Sequence, residues 1–337
     1  MTSFFAGLEP PAGRLSPAAA GLYDAVESRQ LPDFFILGAP KCGTTALYTY
    51  LQQHPATFMA ARYGGRKIEP QFFCEDFPGI AQVSNRDDYL DLFKPAPAGA
   101  LRGESSAWYL FSQVACRRII EQAPQAKMIV MLRNPVDMVQ SLHNQMVYSL
   151  REDVHDLELA WQLQDERRTG RLVPRHCREP AHLQYREVCS FAHQLERLFE
   201  SVPRRQVKIV LLEEMLADHR ATYLAILEFL GLPDDGRTHF PQVNRRSVYR
   251  NRAIVDALNR LPRGMDPLLY GAKAVANRSG FRLLRLLKKT NAKRERPPPL
   301  KPAFRNHLAS VFSSDIRETE RVLGRSLDPW WQRLKAG

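Results

Sequence analysis

Residues 36–45 read Ile36-Leu37-Gly38-Ala39-Pro40-Lys41-Cys42-Gly43-Thr44-Thr45, directly after Pro32-Asp33-Phe34-Phe35. The apolar run up to Gly38 predicts a buried strand, and Thr44 onward predicts a helix. Between them lies a loop framed by two glycines, with one cation, Lys41, and hydroxyls at the helix start. Backbone N–H groups at a helix N-terminus beside a cation suit a phosphate-type anion. Gly38 and Gly43 have the spacing of a nucleoside-triphosphate loop. In that loop, however, a Lys follows the second Gly and reaches the β- and γ-phosphates. Here Thr44 follows Gly43, and Lys41 lies inside the loop. A different anionic group is expected.

A second stretch agrees. Met128-Ile129-Val130-Met131-Leu132-Arg133-Asn134-Pro135 is an apolar run of the kind found in strands buried on both faces. In triphosphate-binding proteins such a strand commonly ends in an Asp that serves magnesium. This one ends in Arg133. Pro135 is compatible with the first position of a helix, and Ser141 follows on that helix. A guanidinium fork at a strand tip and a hydroxyl on the next helix can together hold one phosphate.

With these two motifs the chain resembles the sulfotransferases that use 3′-phosphoadenosine-5′-phosphosulfate (PAPS), in their bacterial and heparan-type branch. Lys41, Cys42, Gly43, Thr44 and Thr45 match the loop that family uses on the 5′-phosphosulfate. Arg133 through Ser141 match its 3′-phosphate motif. Lys67-Ile68-Glu69-Pro70-Gln71-Phe72-Phe73 is similar to its Lys-Glu-Pro-His-Phe-Phe segment, and Leu323-Gly324-Arg325-Ser326-Leu327-Asp328-Pro329-Trp330 to its C-terminal ending. The resemblance runs over roughly residues 32 to 332. It implies PAPS as co-substrate, no metal requirement, and sulfuryl transfer to a hydroxyl or amine. The heparan-type relatives complete the 3′-phosphate site with a late Lys-x-Gly-Arg loop. The nearest run here, Ala292-Lys293-Arg294-Glu295-Arg296, lacks the glycine; it makes Lys293, Arg294 and Arg296 further candidates, with a solvated basic loop as the plain alternative. Those relatives also place a Lys after the residue equivalent to Glu104, where this chain has Ser105.

Each candidate has a chemical role. Lys41 can neutralise charge on the leaving phosphate. Gly43, Thr44 and Thr45 supply N–H groups and hydroxyls. Cys42 belongs to the loop as a small filler. Glu69 is the candidate general base, since a carboxylate serves once partial burial raises its pKa; the plain alternative is an ion pair with Lys67 or Arg66. Arg133 has its own, a strand-end salt bridge. Glu104, His54 and His143 are further bases by residue type. His176, Cys177 and His182 lack the paired spacing of a metal site. Trp108, Tyr109 and Phe111 are either an aromatic wall of the site or core.

Length and composition are those of an ordinary globular chain with ample material for a core. The chain has 337 residues, 44% hydrophobic and 25% charged, with net charge +12 from 48 basic and 36 acidic residues. That balance suits an anionic cofactor, an acidic substrate or an anionic surface. No apolar run reaches the ~18 residues of a membrane span, and no nucleic-acid reading motif is present. Residues 278–289 form a basic amphipathic stretch suited to peripheral membrane contact or to packing on the domain. Five cysteines, an odd number without a Cys-x-x-Cys, suggest reduced thiols in a cytoplasm.

Strand and helix patterns alternate through most of the chain. The expected fold is α/β, a P-loop-type parallel sheet covered by helices on both faces. It forms a single domain over 31–337 behind an arm over 1–30. Residues 56–75 are expected to be irregular, 151–184 are polar with a helical piece near Leu157 to Arg168, and Tyr185 to Val202 repeat apolar residues at helical spacing. Two readings compete with sulfuryl transfer: a P-loop kinase using ATP and magnesium, and a non-catalytic nucleotide-binding protein at a membrane surface.

Overall fold

The computed structural model describes residues 31–60, 62–63, 66–67, 69–241, 247–249, 292–294 and 299–335. At its centre is a five-stranded parallel sheet. The spatial order is β2 (Thr57–Met59), β5 (Leu101–Ser105), β1 (Phe34–Gly38), β6 (Lys127–Leu132) and β7 (Val207–Leu211). All five residues of β1 are buried, and the strand pairs with β5 on one side and β6 on the other. A strand covered on both faces has no polar side, which is why β1 and β6 read as unbroken apolar runs. Parallel pairing makes each connection cross the sheet, so the carboxyl ends of the strands gather along one edge. The loop after β1 and Arg133 after β6 therefore emerge side by side.

Helices flank the sheet. Helix α1 (Thr44–Gln52) follows β1, and α2 (Arg86–Asp91) and α3 (Ala115–Gln122) lie on either side of β5 in sequence. Helix α4 (Pro135–Tyr148) follows β6, its start set by Asn134, whose side chain accepts the N–H groups of Val136 and Asp137. Asn134 also donates to the Trp330 carbonyl at 3.1 Å, and the Trp330 indole donates to Glu213 at 3.1 Å. Trp330 is fully buried. The C-terminal motif thus locks the end of β6 rather than trailing from the fold. Trp330 belongs to α12 (Asp328–Lys335), which follows α11 (Pro302–Leu323).

Several elements differ from the sequence pattern, each for a local reason. Thr57–Met59 forms an edge strand inside the stretch expected to be irregular, and β3 (Arg62–Tyr63) pairs with β4 (Arg66–Lys67) as a small antiparallel ribbon. Three-residue and two-residue strands are too short to carry a period. The helix expected over 185–202 is two, α7 (Tyr185–Cys189) and α8 (Ala192–Ser201). The break is capped from far away: Asp315 on α11 accepts the N–H groups of Phe191 and Ala192 at 2.9 and 3.2 Å. Strand β7 leads into α9 (Leu212–Ala217), after which Asp218 caps α10 (His219–Leu230) and Gly231 closes it in the left-handed region at φ 77.

The polar stretch after α4 contains α5 (Leu157–Gln162) and α6 (Gln164–Arg168). It is organised around a buried ion pair. Arg167 donates to both carboxylate oxygens of Glu152, at 2.6 and 2.7 Å, and the Tyr185 hydroxyl donates to the same carboxylate at 2.7 Å. Neither charged side chain has any solvent exposure.

A second ribbon pairs β8 (Ser247–Tyr249) with β9 (Ala292–Arg294), and β8 lies against α4. Lys293 and Arg294 are therefore on a strand, where the sequence suggested a loop. Arg296, the 278–289 stretch and the arm over 1–30 lie outside the described residues.

Candidate functional site

At the carboxyl edge of the sheet is a cleft of about 570 Å³. Lys41, Gly43, Thr44, Thr45, Glu69, Arg133 and Ser141 all line it. The sheet topology brings these together from four separate stretches of chain.

The loop owes its shape to its glycines. Gly38 has φ 124, and a Cβ on it would sit 2.2 Å from the Ala107 carbonyl oxygen. Gly43 is the N-cap of α1 at φ 92, and a Cβ there would meet the Leu212 side chain at 2.9 Å. No side chain caps α1. The N–H groups of its first turn, at Thr44 and Thr45, thus stand at the cleft with the positive end of the helix dipole. Lys41 takes φ 67, a region that L side chains occupy at a cost of about 1–2 kcal/mol. Its ammonium donates to Gln145 on α4 at 3.2 Å, which ties the loop across the cleft. Cys42 behaves differently from its neighbours. Its side chain is fully buried, donates weakly to the Pro40 carbonyl, and is absent from the cleft wall. Burial pushes its thiol pKa well up. The Cys42 side chain is thus a core filler within the loop, and its raised pKa disfavours a thiolate there.

Arg133 lies half-buried at the cleft. The salt-bridge alternative is not met: among the described residues Arg133 forms no ion pair. The nearby carboxylate, Glu213, instead accepts the N–H of Asn134 and the indole of Trp330. Ser141, one face of α4 further on, is buried against the cleft.

Glu69 is held firmly. Its Oε2 accepts from the Gln71 amide at 3.0 Å and from the Ala107 backbone N–H at 3.2 Å. Gln71 itself takes φ 53 and donates its backbone N–H to Ser106 Oγ at 3.0 Å. Ser106 in turn donates to Glu104 at 2.6 Å, and the Tyr89 hydroxyl donates to the other Glu104 oxygen. Phe72 and Phe73 anchor the segment: Phe72 stacks on Tyr89 at 4.2 Å, and Phe73 meets Phe35 and Tyr109 edge-on. Glu104 does not reach the cleft. It is sealed beneath Glu69, and burial raises its pKa to about 7 against the lowering effect of its Ser106, Tyr89 and Tyr109 hydrogen bonds.

The other candidates fall away from the cleft. His54 donates to the Pro233 carbonyl at 3.0 Å, and His143 to the Val154 carbonyl at 2.8 Å. Both are buried packing residues. His182 stacks on Trp108 at 3.6 Å, and burial, with the charge of Arg151, pushes its pKa down to about 3, so it is neutral. Among the described residues no three His, Cys, Asp or Glu side chains gather as a metal-binding group. Of the aromatic trio, Trp108 lines the cleft, while Tyr109 is core and Phe111 stacks on Phe77. Arg151 and Gln145 also line the cleft. Neither carries a local motif; only the packing of α4 brings them there.

The site thus offers two separated anion receptors, the α1 N-terminus with Lys41 and the Arg133/Ser141 pair, and one anchored carboxylate. That donor set fits a nucleotide carrying phosphate-type groups at both 5′ and 3′ positions.

Comparison with known proteins agrees with this geometry. The Sulfotransferase domain family matches residues 31–253. A bifunctional heparan sulfate N-deacetylase/N-sulfotransferase 2 of Bos taurus is 37% identical over 115 residues, covering 33% of this chain and 12% of that protein. The heparan sulfate glucosamine 3-O-sulfotransferase 3B1 of Homo sapiens is 28% identical over 206 residues, covering 61% of this chain and 47% of that one. This chain therefore spans less than half the length of these curated relatives. Among solved structures, a sulfotransferase from Alicyclobacillus acidocaldarius superposes with a TM-score of 0.64 at 25% identity, over 89% of this chain and 98% of that one. The family match spans most of the chain and includes the loop, Glu69 and the Arg133–Ser141 segment, so the protein belongs to the sulfotransferase family.

Proposed function

We propose that this protein transfers the sulfuryl group of PAPS to a hydroxyl or amine of an acceptor, with Lys41 and Glu69 as its catalytic residues. The observation that carries the reading is the convergence of Lys41, the α1 N-terminus, Arg133, Ser141 and Glu69 in one cleft. When bound, PAPS supplies an activated sulfuryl group on a phosphate leaving group. The residues of this chain hold and orient it. The N–H groups and hydroxyls of Thr44 and Thr45 receive the 5′ end, and Arg133 with Ser141 receives the 3′-phosphate. Lys41 places a positive charge where the leaving phosphate gains negative charge, and such preorganised stabilisation commonly supplies the largest part of a rate enhancement. Glu69 accepts the proton of the incoming hydroxyl or amine. Its bonds from Gln71 and Ala107 hold the carboxylate in place at the cleft.

Lys293 and Arg294 on β9 are proposed to add charge to the 3′-phosphate side, supported by the position of β8 against α4. The acceptor belongs to the sugar, lipid-linked or small-metabolite hydroxyls and amines that such a cleft admits. A reducing compartment is proposed for the protein, in keeping with its five free cysteines.

The deciding experiment incubates the protein with PAPS, excess chelator and an acceptor library, and reads the mass gain of one sulfuryl group. Transfer that persists in chelator and vanishes in Lys41→Ala supports the reading. Magnesium-dependent phosphoryl transfer from ATP, with no sulfuryl transfer, would overturn it.

A further inference from the structure

Arg151 is a cation of the cleft with no part in the reaction as proposed. Its position follows from how α4 ends. The N–H of Arg151 donates to the Met146 carbonyl at 2.9 Å, and that of Leu150 to the Val147 carbonyl at 3.0 Å. This is a Schellman turn, whose left-handed position usually holds glycine. Leu150 occupies it here at φ 64, which L side chains rarely adopt. The turn sets Arg151 in the cleft wall with Glu69, Gln71, Gln82, Trp108 and Met146.

The guanidinium is only partly exposed, and burial lowers its pKa from the ordinary Arg value. Glu69 and Glu179 act on it as neighbouring charges, together with Cys177 and Arg178. Yet among the described residues Arg151 forms no ion pair and its side chain donates no hydrogen bond. Both acids are engaged elsewhere: Glu179 accepts the Gly79 N–H at 2.5 Å, and Glu69 holds Gln71 and Ala107. A half-buried guanidinium without a partner is costly in the free protein and is matched by an anion entering the cleft. The anions of PAPS are already received at the α1 N-terminus and at Arg133 and Ser141. Arg151 stands beyond the other end of α4, beside the base. The stacked Trp108–His182 pair next to it is uncharged and offers an apolar wall.

We propose that Arg151 recognises the acceptor, and that the acceptor is acidic: a carboxylate or sulfate on it pairs with Arg151 while its hydroxyl or amine lies against Glu69. The inference rests on the sulfuryl-transfer reading for the identity of the bound molecule, and its test is kept separate from that reading.

Binding of two probe pairs, glucuronate with glucuronamide and 4-hydroxyphenylacetate with its amide, is measured by NMR titration. The protein is saturated with 3′-phosphoadenosine 5′-phosphate and compared as wild type, Arg151→Met and Arg151→Lys. In at least one pair the acid should bind wild type about tenfold more tightly than the amide, as expected for a charge-assisted contact. The preference should vanish in Arg151→Met and persist in part in Arg151→Lys. Thermal unfolding of Arg151→Met should occur at or above the wild-type temperature, because an unpaired charge has been removed. No preference in either pair, or a preference that survives Arg151→Met, overturns the proposal. So does a clear loss of stability, which would make Arg151 structural. Nucleotide affinity lost in Arg151→Met would move the residue to the donor site and overturn it equally. If wild type fails to bind the nucleotide, the donor reading falls, and the same probe comparison on the unliganded protein still decides for or against an acidic ligand at Arg151.

Discussion

Replacing Arg133 with Met removes the guanidinium and keeps much of the aliphatic stem. Among the described residues Arg133 has no ion-pair partner, and the adjacent carboxylate of Glu213 is committed to Asn134 and Trp330. The substitution therefore strands no buried acid, and the unfolding midpoint should stay within about 0.5 kcal/mol of wild type. Ligand binding should respond instead. A hydrogen bond to a charged group contributes about 1.5–3 kcal/mol, which is roughly a ten- to 150-fold change in affinity. Calorimetric titration of 3′-phosphoadenosine 5′-phosphate and of adenosine 5′-phosphate isolates the 3′-phosphate, because the two differ only there. In wild type the bisphosphate should bind far more tightly. In Arg133→Met that ratio should shrink by the same ten- to 150-fold, with the monophosphate nearly unchanged because the Lys41 loop is intact. Ser141→Ala should give a smaller loss of the same kind. An unchanged ratio would refute the assignment, as would an equal loss for both nucleotides. A large drop in stability would restore the salt-bridge alternative.

Further outcomes are expected. Glu69→Gln keeps the shape of the anchored side chain but removes the proton acceptor, so kcat should fall roughly 10²–10⁴-fold while nucleotide affinity holds; near-wild-type kcat with a working acceptor would exclude Glu69 as the base. Glu104 has a folded pKa raised from 4.5 to about 7. The native state therefore binds its proton more tightly than the unfolded chain, and this contribution to stability, present below pH 4.5, is lost as pH rises through 7. Urea unfolding at pH 5 and pH 8 should show Glu104→Gln relieved of a pH-dependent loss on the order of 3 kcal/mol; identical slopes in both proteins would mean that Glu104 does not titrate in that window. Arg167→Leu leaves Glu152 buried and unpaired, and should cost about 3–5 kcal/mol in chemical denaturation, much of it recovered when Glu152→Leu is added. Gly38→Ala sets a methyl group against the Ala107 carbonyl and should destabilise the fold by several kcal/mol, read as lost soluble protein or a strongly lowered Tm.

Much of the architecture was legible in the chain because it depends on local rules. Unbroken apolar runs mark strands sealed on both faces, and Pro135 marks a helix start. Gly38, Gly43 and Lys41 announced an anion loop by spacing alone, and Arg133 at a strand tip set that loop apart from a triphosphate site. Elements too short for a period are not readable: β2 lies in a stretch whose pattern is irregular, and the break between α7 and α8 depends on Asp315, more than a hundred residues away.

What the chain determined alone was the set of residue types able to hold a doubly phosphorylated nucleotide, together with the parallel sheet that carries them. What only the tertiary structure decided was which side chains reach the cleft. Glu69 and Glu104 are both carboxylates in the sequence, yet one is anchored at the cleft and the other is sealed beneath it behind Ser106. Cys42 sits between two cleft residues and turns into the core, while Arg151, in a stretch without periodicity, is set into the cleft by a left-handed Leu150. The physical reason is that chemical type belongs to a residue, whereas burial, partnership and direction belong to the packing of elements distant in the chain.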